Sequence, residues 1–172
     1  TVGSVDVGNP AFDVLVYGNA AYVGTSTGIT VVDVSDPANP TVGPSMNVGA
    51  TGGFAMVANY LFAASETNGL IVLGVTDPLN PQLLTMFATS DVVQDITFTG
   101  SYVFAALGDA GFAVIDVSNP VSPSLTAELD LGGFASGLVL ASNFAIITVR
   151  DIGLAAVEVR YPAIPVLVST LP

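Results

Sequence analysis

The sequence predicts an all-β chain: a β-propeller, or a propeller-like array, of four four-stranded blades plus one surplus outer strand. Two sets of landmarks and their spacing predict it. Four like segments recur, GITVVDVSDPANP (28–40), GLIVLGVTDPLNP (69–81), GFAVIDVSNPVSP (111–123) and GLAAVEVRYPAIP (153–165). Their opening glycines, Gly28, Gly69, Gly111 and Gly153, stand 41, 42 and 42 residues apart, and Pro37, Pro78, Pro120 and Pro162 keep that spacing. A second landmark precedes each segment: Asn19, Asn59, Ser101 and Asn143 sit in short turns, followed by Tyr22, Phe62, Phe104 and Ile146.

Each repeat reads as strands A, B, C and D, with A innermost. In the first repeat these are AFDVLVYG, AYVGTS, ITVVDVS and TVGPSMNVG, separated by turns at Gly18-Asn19, Gly28 and Asp36-Pro37. Short Val- and Ile-rich runs bounded by Gly, Asn, Asp and Pro are the β signal. Asp36, Asp77 and Asn119 before Pro favour turns. Val31-Val32 and Ile71-Val72-Leu73 are apolar on both faces, as central strands covered on both sides must be. A unit of this length with four strands is the size of a propeller blade. One such sheet cannot bury both faces alone, so it stacks on its neighbours. The expected division is an outer strand at 1–10 and blades at 11–49, 50–89, 90–131 and 132–172, all in one repeat domain.

Strand counting adds one expectation. TVGSVDVG (1–8) matches the D strand TVGPSMNVG (41–49), and the chain ends on another D strand, PVLVSTLP (165–172). Five D strands therefore accompany four ABC sets. The surplus strand either completes a sheet in a neighbouring copy by strand addition, belongs to the preceding blade of a longer array, or forms a plain outer edge. Beginning at Thr1, the chain reads as a processed mature chain, a fragment or part of something longer.

Composition narrows the function classes. Apolar residues make up 51% and charged residues 9%, opposite to the balance of a disordered chain. Fourteen acidic residues face two basic ones, Arg150 and Arg160, for a net charge of −12. Such a surface repels phosphate backbones and anionic lipid, so nucleic acid is not an expected partner. No apolar run is long enough to span a membrane as a helix. The chain has no Cys, His or Lys, which removes thiolate metal ligands, imidazole bases and the amine nucleophile. With no GxSxG run and no helix after the glycine-rich stretches 49–53 and 132–133, the expectation is a chain that is not an enzyme and holds no cofactor.

Carboxylates are the remaining chemistry. Asp13 and Asp95 are assigned the same A-strand position in repeats one and three, with Ala55 and Gly137 filling it in repeats two and four. In a closed four-blade ring the two acids would face each other across the channel, where a pair binds a cation or performs acid–base work. The more ordinary role is bonding to nearby backbone at a strand start. Glu66, Asp91, Asp109 and Asp151, with Arg150, fall in the D–A and B–C loops, the propeller face where ligands often bind. They are candidate ligands for Ca²⁺, without an Asp-x-Asp-x-Asp-Gly run to support it; solvated turn residues are the ordinary alternative. Asp33, Asp116 and Glu158 recur through the repeat and read as blade-stabilising.

The repeats also resemble a known family, the LVIVD repeat of bacterial and archaeal surface proteins. Repeat one carries the pattern in Gly18, Asn19, Tyr22, Gly28, Val31, Val32, Asp33, Ser35, Asp36 and Pro37. Repeat three carries it in Gly111, Phe112, Val114, Ile115, Asp116, Ser118 and Pro120. Repeat two has Gly74 where the strand-ending Asp belongs, and repeat four has Glu158 there and Arg160-Tyr161 in place of Ser-Asp. The resemblance implies a propeller, in a family whose members are typically larger than four blades, and an extracellular or cell-surface location. The expected function is a non-catalytic structural or interaction protein that forms homo-oligomers or polymers, filament or surface-layer in type, through its terminal strands. The alternative is a monomeric binding propeller that recognises a glycan, peptide or cation on its loop face.

Overall fold

The computed structural model describes residues 2–172. The first blade comprises β1 (Ala11–Tyr17), β2 (Ala20–Thr25), β3 (Ile29–Asp33) and β4 (Thr41–Met46). The second comprises β5 (Thr51–Val57), β6 (Tyr60–Ser65), β7 (Gly69–Gly74) and β8 (Gln82–Phe87). The third comprises β9 (Asp95–Thr99), β10 (Tyr102–Ala106), β11 (Phe112–Asp116) and β12 (Ser124–Leu129). The fourth comprises β13 (Ala135–Ala141), β14 (Phe144–Val149), β15 (Gly153–Glu158) and β16 (Val166–Leu171). Each blade is an antiparallel meander in chain order. The described residues form no helix, hence none long and apolar enough to cross a membrane.

The landmarks of the repeat are its fasteners. The carbonyls of Asn19, Asn59, Ser101 and Asn143, in the A–B turns, accept the N–H groups of Val34, Val75, Val117 and Val159, each at 2.8 Å. The A–B hairpin is thereby tied to the residue leaving strand C. The Asp-Pro turns are held by their acids: Asp36 accepts from Ala38 N (2.9 Å) and Asn39 Nδ2 (2.8 Å), and Asp77 from Leu79 N (3.1 Å) and Asn80 Nδ2 (2.8 Å). Asp33 and Asp116 accept from Ser35 N and Ser118 N at 2.8 and 2.7 Å, and these bonds hold both carboxyls below the usual carboxylate range. Glu158 instead lies 3.8 Å from Arg160 on the surface.

Alternation in the strands gives every blade two apolar faces. Its trailing face meets the leading face of the next blade. Tyr22, Ile29 and Val31 pack with Leu61, Ile71 and Leu73. Phe62, Leu70 and Val72 pack with Val103, Ala113 and Ile115, and Phe104, Phe112 and Val114 with Ile147, Ala155 and Val157. One interface is thus built three times from equivalent positions. At the first of these interfaces, Tyr22 Oη donates to the Pro78 carbonyl across the blade boundary (2.9 Å), and burial pushes its pKa up to about 12.

The four blades form an open arc. Strands β1, β5, β9 and β13 pack in succession, but β13 does not close onto β1 as the others do. The leading face of blade 1 therefore remains outward, with Val14 and Val16 58% and 61% exposed, whereas their equivalents in blade 3, Ile96 and Phe98, pack against blade 2.

Residues 2–8, read from the sequence as a surplus strand, pair with no strand; Thr1 lies outside the described residues. They cross the leading face of blade 1, where Val5 and Val7 line an open cavity of about 490 Å³ with Phe12, Val14, Val23 and Val32. A cavity of that size means the segment covers the face loosely, well short of core packing.

Candidate functional site: open blade faces and an acidic mouth

Two regions can meet another molecule. The first is the pair of apolar faces at the ends of the arc, the leading one loosely crossed by residues 2–8 and the trailing one with no blade against it. On blade 4, Val139 is 62% exposed and Leu154 41%. Ile146, Leu154 and Ala156 occupy the register positions that Phe104, Phe112 and Val114 fill in blade 3, where blade 4 buries them. Sequence reading placed the association at the terminal strands and missed these faces. The signal was present: Val14 and Val16 stand where Phe54 and Met56 stand one repeat later, apolar positions that only a preceding blade would cover.

The second region lies where the inner strands of blades 1, 2 and 3 meet. Asp13, Glu66 and Asp95 line a cavity of about 380 Å³ together with Thr51 and Gln94. The ladder register aligns Asp13, Gly52, Asp95 and Gly137, which pair with Gly24, Ala64, Ala106 and Thr148. This corrects the assignment of Ala55, which sits three places further along, opposite Phe62. A bulge at Gly53 accounts for one of those places. That glycine has φ +70°, and a Cβ there would lie 2.8 Å from Asp95 Oδ1, so no larger residue fits beside the acid.

Asp95 is the candidate that bridges two blades. Its Oδ1 accepts from Ile96 N (2.9 Å), and its Oδ2 accepts from Leu138 N (2.9 Å) on blade 4, making it a clasp between blades. Burial pushes its carboxyl above the usual carboxylate range. The Leu138 and Ile96 N–H groups oppose that rise, and the nearby charge of Asp13 adds to it. Because the arc does not close, the two acids do not oppose one another across a ring.

Asp13 and Asp91 are engaged by backbone N–H groups. Asp13 Oδ1 accepts from Val14 N (2.8 Å). Asp91 caps the loop before β9, accepting from Val92 N and Asp109 N at 2.8 Å each. Asp109 thus meets Asp91 through its backbone. Asp151 takes a left-handed φ of 65° in the β14–β15 turn, and Arg150 beside it lies over the Phe134 ring at 4.3 Å. Among the described residues, no three acids gather closely enough to hold a metal ion together.

A pH prediction follows for Asp95. Folding raises its pKa, so its contribution favours the fold at low pH and is lost as pH rises from the ordinary carboxylate range through the raised value. Asp95→Asn keeps an oxygen for the Leu138 N–H and removes the titration. Urea midpoints at pH 3 and pH 7 should show the variant gaining on the parent at the higher pH.

The comparisons with known proteins agree with this architecture. The LVIVD repeat model matches residues 8–48, 49–89 and 92–130. The fourth blade, with Glu158 and Arg160-Tyr161 at pattern positions, lies outside those matches. A search of curated proteins gave no match. Among solved structures, the computationally designed Ika4 protein superposes with a TM-score of 0.71 at 12% identity, covering 90% of this chain and 94% of that one. The computationally designed Ika8 protein gives 0.68 at 12% identity, covering 88% and 46%. The β-propeller domain of Myceliophteria thermophila Cps50 (Swd1) gives 0.69 at 14% identity, covering 89% and 56%. The chain thus spans about half the length of the last two. At such identities the likeness is one of fold: four propeller blades in succession. With three of its four blades matched by the family model, the chain belongs to the LVIVD repeat family.

Proposed function

We propose that the chain is a non-catalytic structural propeller that self-associates through its two ends, as a filament or surface-layer component outside the cell or at its surface. The observation that carries this reading is residues 2–8: a D-strand sequence that pairs with no strand of its own chain. The outer position of blade 4 is already filled by β16, whose six residues are all exposed. The free outer edge of β16 in a neighbouring copy is where the spare strand would add. The absence of His, Lys and Cys from the sequence supports a role without catalysis. The surface location rests on the family resemblance.

Gel filtration and negative-stain imaging test the proposal. The expected result is assemblies well above the 17.3 kDa of one chain, weakened by removal of residues 1–7. Discrete 17 kDa particles at all concentrations would overturn it. That outcome would favour a monomeric binding propeller that takes a ligand on its loop face, and calcium titration by calorimetry would test a cation as that ligand.

A further inference from the structure

We propose that the joint between copies is a fourth instance of the blade–blade interface, with the trailing face of blade 4 in one copy stacked on the leading face of blade 1 in the next. This rests on the self-association proposed above and specifies its geometry. Three observations support it.

First, the chain already contains the joint three times, and the two open faces are its two unmatched halves. In the built interfaces a large side chain on strand B meets an apolar residue on strand A of the following blade. Phe62 stacks on Phe98 with ring centroids 6.2 Å apart, and Tyr22 shares a cluster with Met56 as Phe104 does with Leu140. The same register positions at the ends are Ile146 and Val16. A second copy brings them together by continuing a packing mode that the sequence has solved three times.

Second, the N-terminal segment carries the turn of an internal blade junction. Between blades 3 and 4, Gly132 has φ +77° and its N–H donates to Asp130 Oδ1 at 2.8 Å. Ahead of blade 1, Gly8 has φ +79° and its N–H donates to Asp6 Oδ1 at 2.8 Å. The chain thus enters blade 1 as it enters blade 4, from the direction of a preceding outer strand. When a neighbour's blade 4 covers the face, residues 2–7 leave their loose position and run beside its β16.

Third, the charges oppose head-to-head order. Both basic residues of the chain, Arg150 and Arg160, lie in blade 4, beside Asp151 and Glu158. Residues 1–49 carry Asp6, Asp13, Asp33 and Asp36 with no basic residue. Stacking blade 1 on blade 1 would concentrate like charge, whereas blade 4 on blade 1 sets the neutral end against the acidic one. Such a contact is heterologous, so it propagates into a filament or closes into a ring according to the curvature of the arc.

Complementation tests the geometry. Val16→Asp blocks the leading face, and Val139→Asp blocks the trailing face. Both positions are more than half exposed, so each variant should keep the parent's circular dichroism and melting behaviour. Val14→Asp and Leu154→Asp replace either one that does not. Each variant alone should elute as a monomer, while an equimolar mixture should yield a dimer with one intact joint. If the parent assembles and either variant still assembles like it, or the mixture stays monomeric, the stacking geometry is wrong and the scaffold reading survives. A monomeric parent overturns both.

Discussion

Phe104→Ala is expected to cost about 3–5 kcal/mol of unfolding free energy, the usual range for emptying a buried aromatic site, whereas Ile146→Ala, at the equivalent position one blade later, should cost well under half of that. Phe104 is 1% exposed and its ring lies 6.0 Å from that of Phe112 in the interface that joins blades 3 and 4. Its neighbours come from two sheets held in register by their ladders, so they cannot collapse into the space. In a linear array each blade contacts only its neighbours, so weakening this interface also lets blade 4 separate before the rest. Ile146 holds the equivalent strand and register position, between Val139 and Ala156, but has no blade above it. Chemical unfolding monitored by circular dichroism should show a lower midpoint and a broader or split transition for Phe104→Ala, with little change for Ile146→Ala in dilute solution. The gap should narrow as protein concentration rises, because a copy stacked on blade 4 buries Ile146 and adds its binding energy to folding. Equal costs for the two substitutions in dilute solution would show that the face is already covered.

The repeat was legible because each of its signals is local and recurs at fixed spacing. Gly28, Asp36-Pro37 and the Gly18-Asn19 turn each specify a backbone event within a few residues, and fourfold recurrence made the blade visible. What the chain does at its ends was less legible for two reasons. Ring closure depends on the angle between stacked sheets, a sum of many side-chain volumes that no motif encodes. In repeat two the A-strand position was assigned to Ala55, whereas counting back from the Asn59 turn gives Gly53 and the bulge there moves the paired residue one place further, to Gly52. Spacing alone cannot locate a bulge, since the extra residue is revealed only by which amides pair. Residues 2–8 were expected to form an outer strand, but within this chain they form none. Their resting place over Val14, Val23 and Val32 required the three-dimensional arrangement of an open end.

Gly69→Ala should be similarly damaging, at roughly 2–5 kcal/mol, for a backbone reason. Gly69 opens strand C with φ +74°, where an L-residue costs about 1–2 kcal/mol. The added methyl would also strike the carbonyl oxygen of Phe87 on strand D. That oxygen belongs to a ladder and cannot swing aside without breaking it, which supplies the remainder of the cost. The same collision recurs at every equivalent glycine: Gly28 meets the Met46 carbonyl, Gly111 the Leu129 carbonyl and Gly153 the Leu171 carbonyl. The recurrence of glycine at these positions thus has a steric cause, the close passage of strand D over the start of strand C. Gly100 provides the matched control. It has φ +61° and nothing within 4 Å of a Cβ position, so Gly100→Ala should cost only the backbone component, about 1–2 kcal/mol. Denaturant midpoints for the two variants separate the contributions: the excess at Gly69 measures the collision. If both variants lost the same stability, strand D would have to yield to the methyl, and the four glycines would be explained by φ alone.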